Sequence, residues 1–362
     1  MAKSFAQRVI AWQHTHGRHD LPWQHADAYR VWLSEIMLQQ TQVATVIPYY
    51  LRFIAAFPDI AALAAASEEE VLALWSGLGY YARGRNLHRA AQVIAEQHGG
   101  KFPHQFEQIF ELPGIGRSTA AAICALAFHQ HRAILDGNVK RVLARHAGIA
   151  GWAGDKKVEM QLWQQAETLL PQRDIAAYTQ GLMDLGASIC TRSRPKCDAC
   201  PVREDCVALQ SGRIDELPTP RPKKNVPERH CVFLLLRHGN DILLEKRPGN
   251  GIWGGLWCPP QFDDEAAADT WCAQHGLEAA NGEKLAPFTH AFTHFRLHIA
   301  SLLLDVDSRP HRIEQPGQLW MGTNDALQAA IPTPVRTILG KLEKKSAQRD
   351  RVQRNRGGAV LV

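Results

Sequence analysis

Residues 106–136, FEQIFELPGIGRSTAAAICALAFHQHRAILD, decide the fold predicted for this chain. The Pro-Gly-Ile-Gly sequence at 113–116 predicts a tight turn between a helix that ends at Leu112 and a second helix that begins at about Arg117. The N–H groups and the positive dipole end at the start of the second helix suit a phosphate group. A carboxylate, Asp136, follows twenty residues after the second glycine. An ordinary capped helix–turn–helix would have the same local pattern, so the rest of the chain must decide whether the stretch is functional.

The length of 362 residues predicts about two domains, each large enough to bury a core. The net charge of +5 permits a polyanionic partner without requiring one. The first residues contain no continuous apolar segment, and no run is long enough to span a membrane. We therefore expect a soluble, cytoplasmic protein whose eight cysteines are thiols or metal ligands rather than disulfides.

An apolar helical region covers residues 28–57 and contains one carboxylate with unusual neighbours, Glu35. Trp32 and Leu38 share a helix face with Glu35, and no cation lies three or four residues away to pair with it. Apolar surroundings predict a raised pKa for Glu35, which is what a general acid requires. A solvated Glu on a mostly apolar helix is the ordinary alternative.

The pattern of residues 59–98 predicts two more helices, which are joined by a loop that places aromatic rings beside cations. The loop contains Tyr80, and Arg83 and Arg85 follow it, a combination that suits base stacking together with phosphate contact. A buried aromatic at a glycine turn fits this stretch equally well. Helices continue over residues 141–189, and no strand pattern precedes residue 230.

Four cysteines with the spacing C-x6-C-x2-C-x5-C form the most specific motif: Cys190, Cys197, Cys200 and Cys206. Zinc ribbons usually pair two C-x2-C knuckles, whereas this loop has one knuckle with a single cysteine on each side. A short loop that wraps one body favours a cubane iron–sulfur cluster, and structural zinc is the alternative. The basic residues between the first two cysteines suit phosphate contact.

The proline- and lysine-rich stretch 218–229 marks a domain boundary, after which the hydrophobic period changes. Strands are predicted at 231–236, 241–245 and 295–305, and a helix at 266–276, which together indicate an α+β fold. We predict an all-α domain over 1–217 with a cluster loop at 190–206, a linker over 218–229, an α+β domain over 230–340, and a basic, disordered tail over 341–362.

The motifs LPGIGRSTA, SEIMLQQTQV and GLGYYARGRN, together with Asp136 and the cysteine spacing, resemble the adenine DNA glycosylases of the MutY type. That family belongs to the helix-hairpin-helix glycosylases related to endonuclease III, and its C-terminal half has a Nudix fold. The resemblance covers nearly the whole chain. It implies a [4Fe–4S] cluster on the four cysteines and removal of adenine mispaired with 8-oxoguanine or guanine in double-stranded DNA. We expect a monomer that is associated with the nucleoid through its DNA binding.

The resemblance also implies roles for individual residues. By motif position, Glu35 resembles the acid that protonates adenine, Asp136 the carboxylate that stabilises the sugar cation, and Asn138 a residue that orients one or both. The adenine pocket and the DNA contacts would comprise Trp23, Gln24, Leu38, Gln40, Thr41, Val43, Leu78, Tyr80, Gly114, Gly116, Ser118 and Gln180.

Ser118 distinguishes between related chemistries. Bifunctional relatives have at this position a lysine that attacks the sugar and forms a Schiff base. A serine therefore predicts that water is the nucleophile and that the enzyme is monofunctional. Lys140 lies near Asp136 in the sequence and is a candidate for adventitious trapping of the product.

The C-terminal half departs from active Nudix enzymes. Residues 263–268 follow a glycine-rich approach but lack the Arg-Glu-x-x-Glu-Glu box that binds a metal diphosphate. We predict a domain that recognises the lesion without hydrolysing a substrate. Phe292, Thr293 and His294 resemble the Phe-Ser-His lesion-sensing loop of the family, with Thr in place of Ser.

Two alternatives belong to other functional classes. One is an endonuclease III-like glycosylase–lyase for oxidised pyrimidines, which Ser118 and the additional domain disfavour. The other is a non-catalytic, cluster-bearing DNA-binding protein, which the presence of Glu35 and Asp136 at their motif positions disfavours.

Overall fold

The computed structural model describes residues 3–24, 27–222, 225–309 and 317–357, with the side chains of residues 280 and 346–357 excepted. The chain forms two compact units. The first comprises Met1–Ala65 and Asn86–Lys223, and the second comprises Ala66–Arg85 and Lys224–Val362.

The first unit is helical within the described residues. Its helices are α1 Phe5–His16, α2 Ala28–Leu38, α3 Val43–Ala56, α4 Ile60–Ala65, most of α6 Ala82–Gln97, α7 Phe106–Glu111, α8 Arg117–Phe128, α9 Gly137–His146, α10 Lys156–Thr168, α11 Ile175–Asp184 and α12 Val207–Gln210. A π-helical turn, Leu185–Ile189, extends α11. The predicted all-α class of this half is confirmed.

Local sequence signals set several of these helix boundaries. The hairpin between α7 and α8 is confirmed: Leu112 caps α7 and Gly116 is the N-cap of α8. Asp136 caps α9 through its side chain. Ser4 and Gln7 form a capping box that begins α1.

The apolar region 28–57 is divided into α2 and α3 at Gln40, whose φ is +57°. Residues 59–98 form three helices, α4, α5 Glu68–Trp75 and α6, so the prediction of two was wrong. The reason is Ser67, which forms a capping box with Glu70 and begins α5 directly after α4.

The first unit packs around one large apolar cluster. Its fully buried members include Val9 of α1, Leu143 of α9, Leu162 of α10, Leu182 of α11 and Leu185 of the π-helical turn. Cys190 and Cys200 pack against the edge of the same cluster. The helices that follow the hairpin and the cysteine loop therefore share one core.

The second unit contains a seven-stranded sheet within the described residues. Its strands are β1 Glu228–His238, β2 Asp241–Lys246, β3 Trp257–Cys258, β4 Gln261–Phe262, β5 Glu283–Ala291, β6 Arg296–Asp305 and β7 Gln318–Gly322. The main order is β3-β2-β1-β6-β5, with β4 paired to β1 and β7 paired to β2. Strands β1 and β6 are parallel, with His230 opposite His298, and β5 and β6 form an antiparallel hairpin.

Helices α13 Glu265–Gln274, α14 Thr323–Gln328 and α15 Thr333–Gly357 complete the C-terminal part of the second unit. Leu234, Leu243, Cys272 and Trp320 form its buried cluster. The predicted α+β class is confirmed.

Residues 66–85 pack with the sheet that begins more than 140 residues later. The carboxylate of Glu69 accepts hydrogen bonds from Trp257 Nε1 at 2.6 Å and Lys246 Nζ at 2.8 Å. Ser76 Oγ donates to the carbonyl of Ile331 at 2.5 Å and accepts from Arg336 Nη2 at 2.8 Å. The domain predicted over 1–217 includes residues 66–85, whereas these residues belong to the second compact unit. The division into domains at residue 217 stays a prediction.

The basic tail predicted over 341–362 differs from the structure, because α15 continues to Gly357. Residues 333–357 contain many good helix formers and only one interior glycine, Gly340, so helical propensity is sufficient to extend the helix. Residues 358–362 of the tail and 223–224 of the linker lie outside the described residues.

Candidate active site

A cleft with a volume of about 1270 Å³ opens in the first unit. Residues of α2, α8, α9 and α11 line it, together with the turns that precede α2 and α3. Of the predicted site residues it contains Trp23, Gln24, Glu35, Leu38, Gln40, Thr41, Val43, Ser118, Asp136, Asn138 and Gln180. Residues that are far apart in the sequence thus share one cavity with the two candidate catalytic carboxylates.

Glu35 lies on α2 and is half-buried at the cleft wall. Burial, and then the neighbouring charge of Asp136, raise the pKa of Glu35 to about 8. The raised pKa predicted from Trp32 and Leu38 is therefore confirmed, and the structure adds a second carboxylate as a cause. At neutral pH Glu35 carries a proton that it can donate.

Asp136 is held by the start of α9. Its Oδ1 accepts the backbone N–H of Val139 at 2.8 Å. Burial raises the pKa of Asp136, whereas N–H donors from Val139 and Asn138 and the cations Arg141 and Lys140 act in the opposite direction. Burial is the largest cause, so the pKa of Asp136 is raised on balance. Among the described residues Glu35 has no such opposing donors or cations, so Asp136 is the better stabilised of the two as an anion.

Asn138 is fixed by Arg141. The Arg141 Nη2 donates to Asn138 Oδ1 at 2.8 Å and to the carbonyl of Gly186 at 2.7 Å, and Arg141 Nε donates to the carbonyl of Cys190 at 2.7 Å. Gly186 has no room for a side chain, because a Cβ there would lie 2.6 Å from the Cβ of Asn138. Asn138 is therefore clamped between the start of α9 and the π-helical turn.

Ser118 supports the segment that carries Asp136. Its Oγ accepts the backbone N–H of Leu135 at 2.9 Å, one residue before Asp136. Lys140 Nζ is 2.6 Å from the carboxylate of Glu159. This ion pair holds the amine of Lys140, the residue that we considered a candidate for trapping the product.

The two hairpin glycines have different physical roles. Gly114 has a φ of +80°, and a Cβ there would lie 2.7 Å from the Cβ of Asn86. A side chain at Gly116 would meet nothing within 4 Å. Gly114 is therefore required by internal packing, whereas Gly116 leaves the N-terminus of α8 open to an external group.

Trp23 is buried against Tyr50, with an edge-to-face arrangement and 5.3 Å between ring centroids. Gln24 lies beyond it in the same turn, where its Nε2 donates to the carbonyl of Arg18 at 2.6 Å. Gln39 Nε2 lies 3.4 Å from Thr119 Oγ1. These contacts hold Trp23, Gln24 and Gln39, which line the cleft.

The remaining predicted DNA contacts, Leu78, Tyr80, Phe292, Thr293 and His294, lie in the second unit. Leu78 is buried, and Tyr80 is 47% exposed with a φ of +48°. The guanidinium of Arg83 stacks 5.5 Å from the Tyr80 ring and donates to the carbonyl of Leu78 at 3.3 Å. This loop therefore exposes the Tyr80 ring to solvent, and Arg83 holds the backbone beneath it.

The β5–β6 turn carries the residues of the predicted lesion-sensing loop. The N–H of Phe292 donates to the carbonyl of Phe295 at 2.9 Å, and the two rings stack with centroids 4.4 Å apart. Thr293 and His294 are exposed at the tip, and Thr293 Oγ1 is 3.3 Å from the hydroxyl of Tyr80. The aromatic residues anchor the turn, and its two polar side chains face outward.

The four predicted cluster cysteines line one small cavity with Arg145. Arg145 Nη1 lies 3.4 Å from Cys190 Sγ and also donates to the carbonyl of Thr191 at 2.7 Å. Burial first, and then the charges of the other three cysteines, raise the pKa of Cys200 to about 11. Four thiols around one cavity beside a buried cation suit an anionic, multi-iron cluster.

Among the described residues no group of three or more His, Cys, Asp or Glu side chains could hold a single metal ion. A cubane spreads its four thiolates around a body larger than one ion, so its donor set need not converge on a point. Four thiolates are a donor set that such a cluster uses.

The cleft also contains residues that the sequence did not single out, among them Gln13, Arg18, His19, Ser34, Thr119, His129 and Met183. Arg18 precedes the turn at Trp23 by five residues, but its partner, Asp184, lies 166 residues further along the chain. Local patterns contain no signal for such a pair.

In the described part of the chain, none of the helices combines the length and hydropathy that a membrane crossing needs.

Two family models match the chain. Residues 33–168 match the HhH-GPD superfamily of base excision DNA repair proteins, and residues 231–341 match the NUDIX domain. The first match contains Glu35, the hairpin and Asp136. The second covers nearly all of the sheet.

Relatives match over most of their length. The chain is 40% identical to an adenine DNA glycosylase of Buchnera aphidicola subsp. Acyrthosiphon pisum, covering 94% of this chain and 98% of the relative. It is 33% identical to an adenine DNA glycosylase of Mus musculus, covering 94% of this chain and 78% of the relative. A solved thermostable thymine-DNA glycosylase is 29% identical with a TM-score of 0.51, covering 57% of this chain and 95% of the other.

Proposed function

Because the chain belongs to the adenine DNA glycosylase family, we propose that it removes adenine paired with 8-oxoguanine or with guanine from duplex DNA. Family membership makes the protein a DNA glycosylase of base excision repair, and the proposal narrows its substrate. The observation that carries the chemistry is the pair of carboxylates, Glu35 and Asp136, in one cleft with different electrostatic surroundings.

Access to the scissile bond requires that the adenine leave the base stack. An enzyme cannot reach the bond between adenine and C1′ inside a duplex, so the nucleotide must be flipped into a pocket. The cleft of about 1270 Å³ is ample for one nucleotide, and Trp23 gives it an aromatic wall. The outward-facing N-terminus of α8 at Gly116 suits a phosphate of the bound strand.

Glu35 acts as the general acid. Breaking the N9–C1′ bond leaves the bonding electrons on the purine, which departs more readily once a proton is on its ring. With a pKa of about 8, Glu35 is mostly protonated at neutral pH and can supply that proton.

Asp136 stabilises the positive charge that develops on the sugar. Its carboxylate is held by the N–H of Val139, and Asn138 is held beside it by Arg141. Water then adds to C1′ and its proton returns to the Glu35 carboxylate, which completes hydrolysis and restores the acid. Ser118 has no amine to form a Schiff base, so the proposed enzyme does not cut the strand.

Reading of the opposite base is assigned to the second unit. Guanine and 8-oxoguanine differ at N7 and C8, so discrimination between them needs a polar group near those atoms. Thr293 and His294 are exposed on an anchored turn, and Tyr80 offers a ring that can stack on a base. These features support the proposed roles of the turn and of Gln40, Thr41 and Leu78 beside the lesion.

The Nudix-like domain is proposed to recognise and not to hydrolyse. Helix α13 has the sequence EAAADTWCAQ, whose only acidic residues are Glu265 and Asp269. A magnesium diphosphate would find few hard oxygen ligands on it.

Cys190, Cys197, Cys200 and Cys206 are proposed to hold a [4Fe–4S] cluster. Bound there, the cluster would supply a rigid anchor for a basic loop that faces the DNA backbone. We expect purified protein to be coloured and to contain about four irons and four sulfides per chain. Stoichiometric zinc without sulfide, measured by elemental and sulfide analysis, would contradict this assignment.

The proposed substrate is tested with labelled duplexes that carry A:8-oxoguanine, A:G or thymine glycol, each incubated with and without subsequent alkali. We expect loss of adenine from the first two duplexes and strand breaks only after alkali. Cutting of the thymine glycol duplex without alkali would favour an endonuclease III-like lyase, and binding without excision would favour a non-catalytic protein.

A further inference from the structure

Asp184, at the end of α11, is the most deeply buried carboxylate beside the cleft, with 1% of its surface exposed. It receives several hydrogen bonds from a single residue that lines the cleft, Arg18. Arg18 donates to it from its backbone N at 2.9 Å, from Nε at 2.7 Å and from Nη2 at 2.6 Å. This ion pair ties the end of α11 to the segment that leads to Trp23.

Gln180 lies one helical turn before Asp184 and lines the cleft. Its Nε2 donates to Asp184 Oδ1 at 2.8 Å. An ionised carboxylate accepts hydrogen bonds and cannot donate them, so the amide must turn its NH₂ group toward Asp184. The other end of the amide, the Oε1 acceptor, is thereby directed away from Asp184.

The approach of Arg18 to Asp184 is built into the backbone. A Cβ at Gly17 would lie 2.5 Å from the carbonyl oxygen of Gln13 and 3.2 Å from Asp184 Oδ2, so only glycine permits the close approach. The carbonyl of Arg18 in turn accepts from Gln24 Nε2 at 2.6 Å. One buried carboxylate thus fixes two side chains of the adenine wall, Gln180 directly and Gln24 through Arg18.

We propose that Asp184 is a positioning residue that sets base specificity by locking the Gln180 amide with its oxygen toward the base. A purine with an exocyclic 6-amino group, such as adenine, would donate to this oxygen. A 6-oxo purine would present a second acceptor to it, which is unfavourable. The inference rests on the proposed function, since it assumes that the flipped base occupies this cleft.

The test measures single-turnover excision from three duplexes that differ only in the target base: adenine, hypoxanthine or unsubstituted purine. Adenine has a 6-amino group, hypoxanthine has a 6-oxo group, and purine has neither and reports the general integrity of the pocket. The proteins compared are the full-length, cluster-loaded wild type, Asp184→Asn, Gln180→Leu and the double variant.

Asp184 accepts three donors from Arg18 and one from Gln180, and asparagine offers a single acceptor oxygen in place of two. Asparagine at 184 therefore cannot satisfy both residues, which releases the Gln180 amide and lets its NH₂ group turn toward the base. We expect Asp184→Asn to lower the adenine-to-hypoxanthine rate ratio about tenfold, the effect of one hydrogen bond. Gln180→Leu should lower the ratio by a similar factor. In the double variant, Asp184→Asn should cause no further change, because the amide on which it acts is absent.

The outcomes separate the two hypotheses. If Asp184→Asn lowers the rates on all three bases by the same factor, Asp184 has only a structural role and the inference is wrong. If Asp184→Asn fails to fold, Gln180→Leu decides: an unchanged ratio overturns the inference. Failure of the wild type to release adenine from any duplex would instead overturn the proposed function.

Discussion

The cleft of the first unit and the β5–β6 turn of the second hold their polar groups in opposite ways. Glu35 and Asp136 are withdrawn from water, and their surroundings shift the pKa of each. Thr293 and His294 project from a turn whose aromatic residues, Phe292 and Phe295, hold it in place. Acid catalysis needs desolvation to raise the pKa of the acid, whereas recognition needs polar side chains that are exposed to a partner.

The difference predicts a hierarchy of mutational effects. Changes in the cleft should act on the rate of bond cleavage, and changes at the turn should act on the choice of the opposite base. Substitutions in both regions test that division.

The largest effect is expected from the carboxylates. Glu35→Gln keeps the shape of the side chain but has no acidic proton, and Asp136→Asn cannot stabilise a cation with a negative charge. Each should bind DNA yet lose about 10²–10⁴-fold in single-turnover excision, the usual contribution of a general acid. Glu96→Gln on the exposed surface of α6 is the matched control. Near-normal excision by either cleft variant would remove that residue from the mechanism.

The pH dependence sharpens the assignment of Glu35. Only the protonated form donates, so with a pKa of about 8 the excision rate should fall about tenfold per unit as pH rises above 8. The residual activity of Glu35→Gln should lack this fall. A wild-type rate that stays constant to pH 10 would contradict the assignment.

The same pKa predicts an effect on stability. The pKa of Glu35 is raised from 4.5 to about 8 in the folded state, so its contribution to stability is complete below pH 4.5 and is lost as pH rises toward 8. Glu35→Gln carries no buried charge at high pH. Its Tm at pH 9 should therefore exceed that of the wild type, and the two should converge at acidic pH.

What could be predicted from the sequence depended on the distance between the interacting residues. The hairpin was predicted correctly because its signals, from Leu112 to Arg117, are contiguous. The raised pKa of Glu35 followed from residues on the same helix face, although the contribution of Asp136 did not. Neighbouring residues in the sequence were therefore sufficient to predict the hairpin and the effect of burial on the pKa of Glu35.

Contacts between distant residues were not predictable. Ser76 bonds to Ile331, 255 residues away, so the packing of 66–85 with the sheet had no local signal. Asp184 and Arg18 are 166 residues apart. The break at Gln40 also escaped notice, because a positive φ at a glutamine lacks the glycine that usually marks such a turn.

At the β5–β6 turn the expected effect is smaller, and it concerns the choice of the opposite base rather than the rate of bond cleavage. Replacing Thr293 and His294 by alanine should remove polar contacts worth about 1–2 kcal/mol, which corresponds to about 5–30-fold in the preference for A:8-oxoguanine over A:G. Excision from A:G should be nearly unchanged. Thr289→Ala on the same hairpin, and Thr293→Ser, which keeps the hydroxyl, are the controls. Equal discrimination by the double alanine variant would assign lesion reading elsewhere.

Truncation after about Leu217 is a coarser test of whether the second unit reads the opposite base. It should change the preference between the two mispairs in the same direction as the alanine variants. It should leave A:G excision largely intact and erode the preference for A:8-oxoguanine. It also removes Ile331, Arg336 and Trp257, which hold the segment 66–85 that carries Tyr80. The side-chain variants are therefore the more specific measurement, and full retention of discrimination by the truncated protein would place lesion reading in the first unit.

The smallest effect is expected at Ser118, whose hydroxyl holds the backbone next to the catalytic carboxylate Asp136. Ser118→Ala removes the acceptor of the Leu135 N–H, one residue before Asp136, and a lost neutral hydrogen bond of about 1 kcal/mol corresponds to roughly fivefold in rate. Excision should fall by about this factor, with no change in the preference between A:8-oxoguanine and A:G, because the turn of the second unit is untouched. Neither the wild type nor Ser118→Ala should nick DNA without alkali, since neither has an amine at this position. Ser118→Lys should slow excision similarly but form a borohydride-trappable adduct with the sugar. Equal trapping of the wild type would indicate that Lys140 leaves Glu159 to reach the product, and the monofunctional assignment would then rest on Lys140→Ala.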